Sequence, residues 1–171
     1  MLKNRSNSGV SIAIQKTMKS YESNIPLIEK EKPNEFTIKI ANTLEEREEA
    51  FKLAYQVYLE KGYVNQNGNE WLVQPYDANK ETVILIVQDK EKNIAGSVTI
   101  VFDSDSKLPA EKIYRDELAK LRTSGRKMAE ISRLVISPSY RSSKEILVLL
   151  FNYLCIYINL VKSYDSLVIQ V

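Results

Sequence analysis

The chain contains no histidine and a single cysteine among its 171 residues. Without histidine the Ser-His and Cys-His nucleophilic catalysts are excluded, and with one cysteine the usual ligand set of a zinc site is missing. Acid-base chemistry therefore falls to carboxylates, tyrosine or lysine. No internal disulfide is possible, which points to a reducing compartment, and Cys155 sits in the apolar run ILVLLFNYLCIYINLV, where it reads as a buried structural thiol. Charge of one sign is not in excess either: 24 Lys and Arg against 22 Asp and Glu leave a net charge of +2. These charges are interspersed, so no nucleic acid partner is indicated. Residues 1–34 hold no signal-peptide core, since VSIAI at 10–14 is too short to span or direct export. The longest apolar run, Ile146 to Val161, has about 16 residues against the ~20 a membrane span needs, and Asn152 and Asn159 interrupt it. It reads as a buried helix, with no transmembrane segment, in a cytoplasmic protein.

A hydrophobic content of 44% suits one globular domain with a real core. Residues 1–34, with NRSNSG and EKEKPNE, read as a flexible or loosely docked arm, and the domain proper covers 35–171. FTIKIA alternates apolar and polar residues as a half-buried strand does, and Thr43 with Glu46 three residues on is a capping-box signature. The helix it opens should end near Gly62. Segment 63–80 carries turn residues at Asn67 and Gly68 but also Tyr63, Trp71 and Tyr76, so it reads as a packed loop able to line a site. TVILIVQD, KEKN and IAGSVTIVF form a hairpin signal, and LPAEKIYRDELAKL a helix closed by Gly125. A strand near 128–137, an apolar helix from about 143 to 162, and SLVIQV complete the order β-α-β-β-α-β-α-β, an α/β mixture. The sequence stops within an apolar strand at Val171, and we expect either further sequence beyond it or a partner covering the edge.

One stretch conflicts with its own composition. AEISRLVIS, residues 129–137, is β-branched and apolar, yet it places Glu130 and Arg133 where charges are costly unless paired. Strict alternation puts Glu130 and Ser132 on one face and Arg133 on the other.

FKLAYQVYLEKGY at 51–63, AGSVTIVFDSDSKLPAEKIY at 95–114 and ELAKLRTSGRKMAEISRLVIS at 117–137 resemble the catalytic core of bacterial N-acyl amino acid synthases. These are relatives of the acyl-homoserine-lactone synthases within the GNAT (N-acetyltransferase) fold, and the resemblance covers roughly 36–171. It implies a GNAT-like mixed sheet flanked by helices, whose usual C-terminal continuation lies beyond Val171. It also implies transfer of a long-chain acyl group from a thioester on acyl carrier protein to the amino group of an amino acid, with no metal or other cofactor. Lactone synthases usually carry Arg at the positions of Ala54 and Thr99 and an acidic pair in the loop, of which Asp77 alone is matched here. Those departures favour the amino acid synthase branch over a lactone synthase, and a catalytically silent acyl-binding domain is a third reading. Coenzyme A users commonly hold the pyrophosphate with a glycine-containing loop. Among five glycines in the chain none falls in the corresponding SPSYRSSKE, as a carrier-borne donor would allow.

The resemblance further implies a β-bulge that turns Glu130 and Arg133 toward one cleft. Glu130 would then be the general base for the incoming ammonium, with amides released by the bulge facing the oxyanion. Its structural alternative is an internal ion pair with Arg126, Lys127 or Arg133. Arg133 can hold the amino acid's carboxylate or position Glu130; Ser132 can donate to substrate or be an ordinary strand serine. Asp77 can contact the ammonium or serve as a turn and cap residue. Arg122, Arg126 and Lys127 around Gly125, together with Arg141 and Lys144, can form a carrier-docking surface or a solvated one. The 143–162 helix and the 63–77 loop can together wall an acyl tunnel, or simply form core.

Overall fold

The computed structural model describes residues 35–105 and 107–170. The expected arm at 1–34 lies outside them. Phe36–Val171 forms one compact unit. Its elements are β1 (Thr37–Ile40), α1 (Leu44–Glu60), β2 (Val83–Gln88), β3 (Ile94–Phe102), α2 (Glu111–Thr123), β4 (Met128–Ile136), α3 (Lys144–Ile156, continued by a π-helical turn Tyr157–Val161) and β5 (Ser166–Ile169). This is the order expected from the sequence.

The five strands lie in chain order, β1-β2-β3-β4-β5; β2 and β3 are joined by a short turn, whereas α1 and the 63–80 loop intervene between β1 and β2. The pairs β1/β2, β2/β3 and β3/β4 are antiparallel, while β4/β5 is parallel and needs α3 as its crossover. Thr43 caps α1 as predicted: its Oγ1 accepts from Glu46 N–H at 3.2 Å and Glu46 Oε2 accepts from Thr43 N–H at 3.4 Å. Gly62 closes the helix at φ +71°, and Tyr63 N–H returns to Tyr58 C=O at 2.8 Å.

Two layers cover the sheet. On one face Ala50 of α1 packs with Ile84 and Ile86, and Leu118 of α2 packs with Val101 and Met128. On the other, α3 buries Ile146, Leu150 and Leu154. Its approach is close: a Cβ on Gly96 of β3 would stand 2.8 Å from Ile146 Cγ2 and 3.1 Å from Val135 C=O. Neither neighbour is the free end of a flexible side chain. Gly96→Ala should therefore lower stability by about 1–3 kcal/mol, through overpacking. Denaturant midpoints of the two proteins check this, and an unchanged midpoint would mean that α3 can shift at no cost.

α3 is less buried than its composition suggested. Leu147, Val148 and Phe151 are exposed, and so is Cys155, because the buried stripe passes through Ile146, Leu150, Tyr153, Leu154 and Tyr157. The thiol expected in the core is thus on the outer side of the helix. By length and composition Lys144–Val161 could cross a membrane. Here it is the crossover that makes β4/β5 parallel. β5 pairs with β4 alone among the described strands and leaves Leu167 and Ile169 exposed.

Candidate active site

The charges in AEISRLVIS are explained by a bulge. Ser97 of β3 faces Val135 and Thr99 faces Ser132, so two β4 residues, Arg133 and Leu134, oppose Val98 alone. Arg133 takes φ +48°, a left-handed conformation rare for a side chain of this size. The extra residue reverses the alternation, and Arg133 joins Glu130 and Ser132 on the α1/α2 face.

There the three residues line a cavity of about 960 Å³. Tyr58 of α1, with Tyr63, Val64, Leu72 and Tyr76 of the following loop, supplies its apolar lining; Lys107, Lys112, Glu130 and Gln170 are among its polar lining. No α3 residue lines it, since α3 occupies the opposite face of the sheet. The expected partnership of α3 with the 63–77 loop around a single tunnel is therefore corrected.

Glu130 is 2% exposed. Its Oε2 accepts from Ala110 N–H at 2.8 Å and its Oε1 from Gln170 Nε2 at 3.1 Å. Neither Arg126, Lys127 nor Arg133 pairs with it among the described residues, so the internal ion-pair reading fails. Burial pushes the Glu130 carboxyl above the usual range, and the two hydrogen bonds offset part of that rise. A carboxylate with a raised pKa and free lone pairs in a cleft is suited to proton transfer.

Arg133 has the opposite character. Nη1 donates to Asp77 Oδ2 at 2.9 Å and to Leu72 C=O at 2.7 Å; Nη2 donates to Asp77 Oδ1 and, at 2.9 Å, to Thr99 Oγ1. Its guanidinium lies between the rings of Phe51 and Tyr76, with centroids 5.2 and 5.1 Å away. Both side chains of the pair are nearly sealed, at 3% and 4% exposure. Arg133 cannot offer a bidentate fork to a substrate carboxylate while Asp77 fills it. Nor is Asp77 directed at an ammonium group: it pairs with Arg133 and caps Gln74 N–H at 2.7 Å. The two residues fold the 63–80 loop onto β4 and so build the cavity wall.

Ser132 meets Tyr76 there, hydroxyl to hydroxyl at 2.9 Å. Burial holds the Tyr76 phenol above its ordinary pKa, while Arg133 and the Ser132 hydrogen bond act the other way. It stays protonated and can donate at neutral pH. Tyr76 was visible in the sequence only as a loop aromatic, and Gln170 not at all as a site residue. The alternation of SLVIQV could have found Gln170, because Val168, opposite Glu130, shares its face.

The five basic residues expected on one docking surface are separated. Arg126 and Lys127 precede β4, whereas Arg141 and Lys144 follow it, and a nine-residue strand spans roughly 26 Å at ~3.3 Å per residue. Arg122 is neutralised by Asp103, at 2.6 and 2.8 Å, and by Glu111. Arg126 lies 3.9 Å from Asp165, and Arg141 holds Glu60 through two bonds of 2.7 and 2.5 Å. Lys127 and Lys144 are exposed.

With this geometry in view the relationships of the chain become specific. Residues 49–171 match the family model "N-acyl amino acid synthase FeeM". The chain belongs to that family. It is an N-acyltransferase. Among solved structures it is similar to FeeM, an N-acyl amino acid synthase from uncultured soil microbes, with a TM-score of 0.69 and 22% identity over 80% of this chain and 71% of that one. It is also similar to ribosomal-protein-alanine N-acetyltransferase of Brucella melitensis biovar Abortus 2308 (TM-score 0.56, 13% identity, 79% and 80% coverage). An aminoglycoside acetyltransferase from an uncultured soil metagenomic sample gives a TM-score of 0.54 at 15% identity, with 82% and 80% coverage. At identities this low, the structural likeness shows the shared GNAT fold alone. No curated protein matches the chain significantly.

Proposed function

We propose that this N-acyltransferase joins a long-chain acyl group, carried as a thioester on acyl carrier protein, to the amino group of an amino acid. The observation that carries the reading is Glu130, a buried carboxylate of raised pKa on a cavity whose other wall is aromatic and apolar. In the proposed reaction Glu130 accepts a proton from the acceptor's ammonium group, and the free amine attacks the thioester carbonyl. The Tyr76 and Ser132 hydroxyls lie on the same face and can donate to the developing oxyanion. Collapse of the tetrahedral intermediate breaks the C–S bond, the thiolate leaves and takes up a proton, and an amide remains.

The absence of glycine from SPSYRSSKE supports a donor other than free coenzyme A, and Arg141 and Lys144 follow that segment's turn at Pro138–Tyr140. An acidic carrier protein would meet exposed Lys144 at this end of β4 and compete with Glu60 for exposed Arg141. Acyl-carrier substrate should react faster than the matched acyl-coenzyme A, with an advantage that shrinks as salt rises, because exposed charges are screened over about 8–10 Å. Arg141→Glu with Lys144→Glu should impair the carrier substrate more than a short pantetheine thioester. A preference for acyl-coenzyme A at every salt concentration would exclude the carrier.

A further inference from the structure

We infer that Lys107 and Lys112 form the subsite for the carboxylate of the acceptor, an inference that rests on the amino acid acceptor proposed above. The charges around the cavity lead to it. Arg133 is committed to Asp77, and Glu111 to Arg122, which also holds Asp103. Lys107 and Lys112 remain as exposed cations lining the cavity, and their side-chain ammonium groups have no ion-pair or hydrogen-bond partner among the described residues. Glu130 remains as the carboxylate with no cation. The unmatched charges lining the cavity are therefore two positive and one negative among the described residues.

A zwitterion complements them. The segment carrying both lysines wraps the Glu130 carboxylate: Ala110, three residues after Lys107 and two before Lys112, donates its N–H to Glu130 Oε2 at 2.8 Å. A turn leads into Lys107, whose N–H donates to Ser104 C=O at 2.8 Å, and a second lies between the lysines, with Glu111 N–H on Leu108 C=O at 3.0 Å. Lys107 holds φ +59°, an unfavourable conformation for lysine. An α-amino acid carries its carboxylate on the carbon bearing the ammonium group, so one anionic and one cationic group must be bound side by side. Glu130 takes the ammonium and the lysines take the carboxylate, which leaves the aromatic wall for apolar parts of the reactants. A compact ammonium suits this task, needing no bidentate geometry.

The test uses the full chain, an acyl-N-acetylcysteamine donor that carries no phosphate, and each of the twenty amino acids beside its carboxamide. With the best amino acid, Lys107→Gln/Lys112→Gln should raise KM by about ten- to a hundred-fold, the size expected for lost charge-assisted hydrogen bonds, and leave kcat nearly unchanged. The carboxamide should be used equally poorly by both proteins. Binding of an N-decanoyl amino acid, followed by calorimetry, should weaken in parallel, while its carboxamide binds both proteins alike. Unchanged KM and affinity would overturn the subsite, as would equal losses with acid and amide. A defect confined to phosphopantetheine-bearing donors would assign the lysines to the donor's phosphate instead and likewise overturn it. If the wild type acylates no amino acid with any donor, the acceptor reading itself fails, and that result differs from a wild type that is active and indifferent to the lysines.

Discussion

Glu130→Gln is expected to lower acyl transfer by about 10²- to 10⁴-fold, the usual contribution of a positioned general base, and to leave the protein folded. Glutamine keeps the volume and can accept from Ala110 N–H, while its amide can serve a reoriented Gln170, so the two hydrogen bonds at 2.8 and 3.1 Å have replacements. The pH dependence follows from burial. Since the folded carboxyl titrates above its ordinary value of 4.5, the acid limb of kcat/KM should lie above that pH and vanish in the variant's residual activity. Stability should move the opposite way. A raised folded pKa means that the contribution of this group is complete below the unfolded pKa and is lost as pH rises through the folded one. Wild type should therefore lose stability relative to Glu130→Gln as pH climbs above about 4.5. Thermal melts across that range, beside initial rates, separate the roles: a variant with full activity would remove Glu130 from the mechanism, and one that unfolds would make it structural.

Asp77→Ala should be the most destabilising single change near the cavity. It strands the Arg133 guanidinium in a site where that residue is 5% exposed, with Thr99 Oγ1 and Leu72 C=O as its remaining acceptors. Breaking a buried ion pair from one side typically costs about 3–5 kcal/mol. For a chain of this length that is a fall of about 6–20 °C in Tm. The double variant Asp77→Leu/Arg133→Met, which leaves no buried charge, should recover much of the loss. If the double variant melts as low as the single one, the shape of the pair matters more than its charge. In kinetic terms Arg133 and Asp77 are positioning residues, holding Tyr76 and the loop wall. Rates in the double variant should thus fall through Tyr76 and loop placement, with the acid limb set by Glu130 still in place.

The order of elements was legible because each signal is local. Thr43 and Glu46 cap a helix by contacts three residues apart, Gly62 and Gly125 end helices by their own backbone freedom, and FTIKIA and IAGSVTIVF alternate with the period of a strand. The conflict in AEISRLVIS was also legible, since two charges in an apolar strand require an explanation wherever they point. Composition alone removed histidine chemistry and disulfides. What the sequence could not decide were the pairings made across the sheet. Nothing within AEISRLVIS says that the surplus residue would fall at Arg133 and Leu134, since a bulge is a mismatch between two strands and belongs to neither. That Asp77 would meet Arg133, 56 residues away, depends on the loop folding back over β4. Arg122, Arg126, Lys127, Arg141 and Lys144 look like one basic surface in sequence because they are close along the chain, yet an extended strand carries its ends far apart. Cys155 and the outer residues of α3 read as core because hydropathy records what a residue prefers, whereas burial depends on which stripe of a helix meets the sheet. Local chemistry chose the elements; only the tertiary structure decided which charges cancel one another and which are left to meet a substrate.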